Sequence, residues 1–256
     1  MTNILALDAS TELCSVALLQ GGRLQGGELQ GGRLQGGKLQ GELQSDKIIE
    51  KVSDLPRSHA DRLLPMVDEV LAEGECNLQQ LDAIAFGAGP GSFTGLRICI
   101  GIVQGLAFGV ELPVVAVSSL EAMALMAKER YPDISWIVPA IDARMKEIYW
   151  AVYKLSGTQL EVVVAPRVLA VSATDTELKS LLEGKSAVGV GSGWPLLQQS
   201  RAALMHCKDD LYPEAAAIAK LGQAAYHAGA GTDAMSAEPI YLRTDITWKK
   251  RERIRG

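Results

Sequence analysis

Histidine is scarce in this chain of 256 residues: there are three, His59, His206 and His227, and no two of them stand three or four residues apart. A histidine pair on one helix face, the common core of a catalytic metal site, is therefore missing. The four cysteines, Cys14, Cys76, Cys99 and Cys207, form no C-x-x-C pair, so reduced thiols are expected rather than a disulfide framework. No apolar run approaches the roughly 18 residues of a membrane helix. The first apolar run has no basic segment before it and is broken by Asp8, so it does not read as a signal peptide. Excess positive charge is also lacking: the net charge is −5, which gives no global footprint for nucleic acid. A cytoplasmic protein that touches no membrane is the expectation. What the chain does have is apolar content, 48%, enough for a sizeable core in one large or two small domains.

The chain is organised around residues 86–109, FGAGPGSFTGLRICIGIVQGLAFG. A strand over 84–86 is expected to turn through Gly87, Gly89, Pro90 and Gly91. A helix should follow, with Ser92 and Thr94 as candidate caps for its first amides. Bare N–H groups before a helix can hold an anion; glycines there are equally plain turn chemistry under a core helix. From Leu96 to Val110 only Arg97 and Gln104 are strongly polar. Gly101, Gly105 and Gly109 make one stripe, and Ile98, Ile102 and Leu106 a second. A helix so apolar needs a sheet on one face and a second helix or a second chain on the other.

Before this stretch, residues 4–7 and 14–19 read as a strand hairpin whose turn is Asp8-Ala9-Ser10-Thr11. A carboxylate and two hydroxyls there can hold a phosphate or a metal-bound water, or can satisfy turn amides. A five-residue repeat, L-Q-G-G-x, follows over about 19–44. Its period puts the leucines on no common face of a helix or strand, so it reads as a tolerant loop, and excising residues 21–41 should leave the fold intact. A strand over 47–52 leads to a helix capped by Ser58 and ending at Glu73, with Pro65 bending it or marking its start. Leu63, Val67, Val70 and Leu71 share its core face, with Leu64 and Met66 off it. Strands at 81–86 and 114–117 and a helix over 118–130 complete the first half. The order then restarts: strands at 136–141, 147–155 and 161–169, a helix over 174–182, a strand over 187–190 ending in Gly191-Ser192-Gly193, and a helix over 213–228. Two copies of strand-strand-strand-helix-strand-helix define an α/β fold of the actin-like, sugar-kinase-like class. The lobes are expected at 1–115 and 116–256, with the last helix and tail packing back on the first.

The segments ILALDASTELCSVAL, HADRLLPMV, GPGSFTGLRICIGIVQGLA, PVVAVSSLEAMA, IDARMKEIYWAVY and EPIYLRTDITWKK together closely resemble the bacterial TsaB family, also called YeaZ. The resemblance spans nearly the whole chain apart from the repeat. It implies a non-catalytic dimerisation and scaffold subunit of the machinery that forms N6-threonylcarbamoyladenosine in tRNA. The implied partners are a TsaD-like catalytic transferase and a TsaE-like ATPase, with a homodimer when alone and tRNA met only indirectly. The catalytic relative has His-x-x-x-His where this chain has Ser119 to Met123, and an aspartate ligand where Pro213 stands. Arg144 stands where its second phosphate loop has glycine. The resemblance therefore implies no metal and no cofactor, with at most weak nucleotide binding in a vestigial cleft made by Asp8, Ser10, Thr11, Gly89, Gly91, Gly191 and Gly193. The expected partner interface is Leu64, Met66, Ile98, Gly101, Ile102, Gly105 and Gly109. The alternative is an enzyme, either a nucleotide phosphotransferase or a glycoprotease-type peptidase. A third reading gives the basic tail, Trp248 with Lys249, Lys250, Arg251, Arg253 and Arg255, to RNA rather than to a solvated end.

Overall fold

The computed structural model describes residues 2–21, 46–55, 59–157 and 159–243. Most of the repeat, the expected Ser58 cap and the basic tail lie outside the described residues. In chain order the elements are β1 (Asn3–Asp8), β2 (Cys14–Gln20), β3 (Lys47–Ser53), α1 (His59–Glu73), β4 (Ala83–Gly89), α2 (Phe93–Gly109), β5 (Val114–Ser118) and α3 (Ser119–Arg130). The second half holds β6 (Trp136–Asp142), β7 (Glu147–Ser156), β8 (Gln159–Ala170), α4 (Val171–Leu182), β9 (Ala187–Val190), α5 (Gln198–Arg201), β10 (His206–Lys208) and α6 (Ala215–His227). The strands form two sheets of five, ordered β3-β2-β1-β4-β5 and β10-β9-β6-β7-β8. Each sheet has an antiparallel meander of three strands and two parallel additions beside its first strand. The second lobe thus repeats the first.

Strand periodicity places the first core. Leu5 and Leu7 of β1 face α1 and α2, where they meet Leu63, Val67, Val70, Cys99 and Val103. Ile4 and Ala6 face the other way and meet Ile218 and Ala219 of α6. Helix α6, the last α-helix among the described residues, thus covers one face of the first sheet. Its leading amides are satisfied from that sheet: Ala215 donates to Ser15 Oγ at 2.8 Å and Ala216 to the Glu50 carboxylate at 2.8 Å. The second lobe has its own cores, with Leu120, Met123 and Ala127 of α3 on one side of its sheet and Leu178 and Leu182 of α4 on the other.

Three local expectations change. Strand β4 continues through Gly87 to Gly89, because β5 pairs with it as far as Ser118 across a bulge. The turn is therefore confined to the residues just after Gly89, and α2 starts at Phe93 with Ser92 alone as its cap, accepting from Gly95 N at 3.3 Å. Helix α1 starts at His59, so Pro65 lies inside it and does not mark its start. Strand β10, three residues long, is too short for any hydrophobic period to announce it.

Candidate functional site

The turn after β1 is buried. Asp8 and Ser10 are both inaccessible to solvent. One Asp8 oxygen accepts from Ser10 N and from Ser10 Oγ, each at 3.1 Å. Ser10 Oγ in turn accepts from Ser119 Oγ, the first residue of α3, at 3.0 Å. The carboxylate therefore does satisfy a turn amide. Its other oxygen, Oδ1, is buried without a partner, as is the Thr11 hydroxyl. That oxygen lies over the Cα of Gly87, where a Cβ would collide with it. Burial pushes the Asp8 carboxyl up to about 7, against the hydrogen bonds from Ser10 that pull it down.

The glycines after β4 press their backbone onto this turn. Ser92 N donates to Ser10 O at 2.6 Å. A Cβ on Gly91 would stand on that same carbonyl oxygen. Only glycine allows so close an approach.

A cleft of about 500 Å³ opens between the lobes, lined by Thr11, Ser92, Phe93, Asp142, Arg144 and Arg243 among others. Of the expected cleft residues, Thr11 and Gly91 reach it, and Ser10 lies just beneath its wall, closed to solvent. Asp8, Gly89, Gly191 and Gly193 are not on its wall; Gly89 faces Leu96, and Gly191, at φ 102°, is wedged between Met123 and Ala140. Gly193 likewise lies against Ala140 of β6, and the Asp8 oxygen lies over Gly87. Ser192, between two of these glycines, does line the cleft, and its hydroxyl accepts from Asp142 N at 3.3 Å.

The far wall is the β6–β7 turn. Arg144, Met145 and Lys146 are all left-handed, at φ 62°, 53° and 60°, a conformation that costs non-glycine residues energy. Asp142 supports it by accepting from Arg144 N at 2.8 Å. The Arg144 guanidinium pairs with Asp142 at 3.4 Å and reaches Glu12, across the cleft, at 4.0 Å. Both are exposed pairs of the kind that contribute little.

One participant was not assigned a role by sequence reasoning. After α6 the chain returns across the molecule. The Gln104 side chain donates to Ala237 O at 3.2 Å, and Ile240 N to Ala88 O at 2.7 Å. Arg97 donates to Tyr241 Oη at 3.2 Å. Arg243 then donates to Ala143 O at 3.1 Å and to the Glu147 carboxylate. Residues 237–243 therefore tie α2 to the β6–β7 turn. An irregular segment has no period to read; its only signal is a tyrosine and an arginine next to proline, EPIYLR.

Could the site hold a metal? Ser119 and Met123 are buried, the latter within the second-lobe core, and Pro213 is buried too. Among the described residues no group of three or more His, Cys, Asp or Glu is placed to hold a metal ion. The residues present do not fit one.

The outer face of α2 is open. Gly101, Gly105 and Gly109 are exposed, and nothing lies within 4 Å of where a Cβ would stand on any of them. Phe108 beside them is 69% exposed, and Leu64 on α1 is 46% exposed. Ile98 and Ile102 are half-buried against the first core. Met66 is a correction: it is fully buried. Three residues after Leu63 and four before Val70, it belongs to the core stripe of α1 and cannot meet a partner.

Two βββαβα repeats facing each other across a cleft make this an α/β protein of the actin-like, sugar-kinase-like class. Comparison with known proteins narrows that class. The family model for TsaD, tRNA N6-adenosine threonylcarbamoyltransferase, matches residues 52–189. The tRNA threonylcarbamoyladenosine biosynthesis protein TsaB of Haemophilus influenzae is 38% identical over 251 residues, covering 96% of each chain. The TsaB protein of Escherichia coli is 36% identical over 256 residues, covering 96% of this chain and 97% of its own. A crystal structure from Pseudomonas aeruginosa, described as similar to the peptidase YeaZ, superposes with a TM-score of 0.76 at 36% identity, covering 95% of this chain and all of that one. The chain belongs to the TsaB (YeaZ) family. Among the described residues no helix is long and apolar enough to cross a membrane.

Proposed function

We propose that this chain acts in the formation of threonylcarbamoyladenosine in tRNA, as a non-catalytic scaffold for a TsaD-like transferase within a complex that includes a TsaE-like ATPase. The observation that carries the reading is the open face of α2, three glycines with no neighbour beside the exposed Phe108, together with the separately exposed Leu64 of α1. Exposed apolar faces of this kind mark protein contacts. Glycine spacing of four lets a second helix approach closely, so α1 and α2 of this chain would pack against the matching pair of a TsaD-like subunit or of a second copy. The pathway rests on the relatives' names; the lack of catalysis is supported by Ser119, Met123 and Pro213, which offer no metal ligands. The cleft keeps room for a weakly held nucleotide.

Sedimentation of the chain alone and with the catalytic subunit tests this. Leu64→Glu should abolish association while circular dichroism stays native, since an unpaired charge buried in an interface costs about 3–5 kcal/mol. A folded Leu64→Glu chain that associates like the wild type would place the contact elsewhere. Peptide hydrolysis or ATP turnover by the lone chain, lost in Asp8→Asn, would favour the enzyme reading.

A further inference from the structure

The glycine face of α2 has a neighbour along one border. Arg97, Gly101, Gln104, Gly105 and Phe108 stand at i, i+4, i+7, i+8 and i+11, one side of the helix. Two of the five hold the chain that returns from α6: Gln104 donates to Ala237 O and Arg97 to Tyr241 Oη, each at 3.2 Å. Ala234 and Ala237 are buried in the first core, and Ile240 N donates to Ala88 O at 2.7 Å, so this segment is fixed along its length. Its other apolar side chains are left open: Met235 is 66% exposed, Tyr241 55% and Ile240 37%. On the opposite border of the glycine stripe, Ile98, Ile102 and Leu106 are half-buried against the first core. A stripe without side chains between two apolar borders is a groove that a helix ridge can fill. Charge bears on which helix. The exposed residues of α1, which packs beside α2, include Asp61, Asp68 and Glu69, whereas Arg97 is the single exposed cation of the two helices. Two copies of this chain would therefore meet with carboxylates in excess, and like charges brought together across an interface are repulsive.

We propose that Met235, Ile240 and Tyr241 form one wall of the docking surface, and that its occupant is a helix of the catalytic subunit rather than of a second copy. That helix is apolar toward the glycines and this wall, and carries Lys or Arg for the acidic outer face of α1. The wall is held in place by its hydrogen bonds to α2 and β4 before any partner arrives, so little ordering is lost on binding. A tyrosine fixed in this way is the residue type that dominates such contacts. The inference rests on the scaffold reading and chooses between the two partners that reading allows.

Sedimentation velocity of the full chain, alone and with the purified TsaD-like subunit, is the test. The mixed complex should form at concentrations where the chain alone is monomeric, and should weaken as salt is raised. Met235→Glu should weaken it about a hundredfold or more, as an unpaired charge in a contact does. Tyr241→Ala should weaken it about tenfold. Asp68→Lys should weaken it and flatten its salt dependence. Val162→Glu, on the exposed part of β8 in the second sheet, is the control with the same kind of charge and should bind like wild type. Circular dichroism checks that each variant is folded. Folded Met235→Glu and Tyr241→Ala chains that bind like wild type, while Leu64→Glu abolishes binding, would overturn the inference and leave the scaffold reading standing. Self-association as tight as the mixed complex, and lost in Met235→Glu, would overturn it by giving the surface to a second copy. A folded wild-type chain that does not associate with the catalytic subunit at all would sink the scaffold reading and this inference with it.

Discussion

Asp8 is a fully buried carboxylate at the end of β1. One oxygen is held by Ser10, and the other is buried with no partner. Such a group is costly when charged, and the cost appears as a carboxyl raised from 3.8 to about 7. The folded chain then keeps a proton that the unfolded chain releases near pH 4. Between those values the folded state binds more protons, so stability falls as pH rises and the loss is complete above about pH 7. Asp8→Asn keeps an acceptor for Ser10 and removes the titration. Denaturant melts should therefore show the variant gaining on wild type by a few kcal/mol in order of magnitude from about pH 5 to pH 8. Glu50, Glu121 and Glu214 are also raised by burial, but they contribute equally to both proteins and cancel in the difference. Parallel pH profiles would mean that Asp8 is not protonated in the folded chain.

Helix α2 does three jobs along its length. Its first turn closes on the Asp8 turn, its buried stripe of Leu96, Cys99, Val103 and Ala107 packs on the sheet, and its outer stripe is glycine. Glycine inside a helix costs about 1 kcal/mol against alanine. Nothing in the lone chain offsets that at Gly105, where an added Cβ would meet no atom within 4 Å. Gly105→Ala should therefore stabilise the isolated chain by about 0.5–1 kcal/mol in urea melts, while weakening association in the same sedimentation assay. A variant that gains stability and associates unchanged would mean that the glycines serve no close approach.

At the scale of the molecule, two connections hold the lobes in relation. Helix α3 packs on both sheets, and residues 237–243 run from α2 to the β6–β7 turn. The second holds a turn with three left-handed residues in a row, and Arg243 supplies its hydrogen bonds to Ala143 and Glu147. Arg243→Ala should free that turn without melting either core. Hydrogen exchange should speed up at residues 143–147 about tenfold, the effect of about 1.4 kcal/mol of lost local stability, with β1 and β4 unchanged. Unchanged exchange at the turn would show that Asp142 and the turn's backbone hydrogen bonds support it without Arg243.

Much of the fold was legible in residue order. Apolar runs marked the strands and helices of both halves except α5 and β10, and their repetition gave the actin-like class. The glycine spacing in α2 announced a face that the sheet could not fill. These are local properties, written in periods of two or 3.6 residues. Which loop residues reach the cleft was decided by tertiary structure, because that depends on contacts between residues far apart in sequence. Ser10 meets Ser119, and Arg243 meets Ala143, across separations that no local pattern records. The same holds for Met66, whose place in the core depended on how wide a stripe α1 buries, and for Gly191, closed in by a methionine from another helix. Periodicity determines what each segment becomes; only packing determines which of its atoms remain open to a ligand or partner.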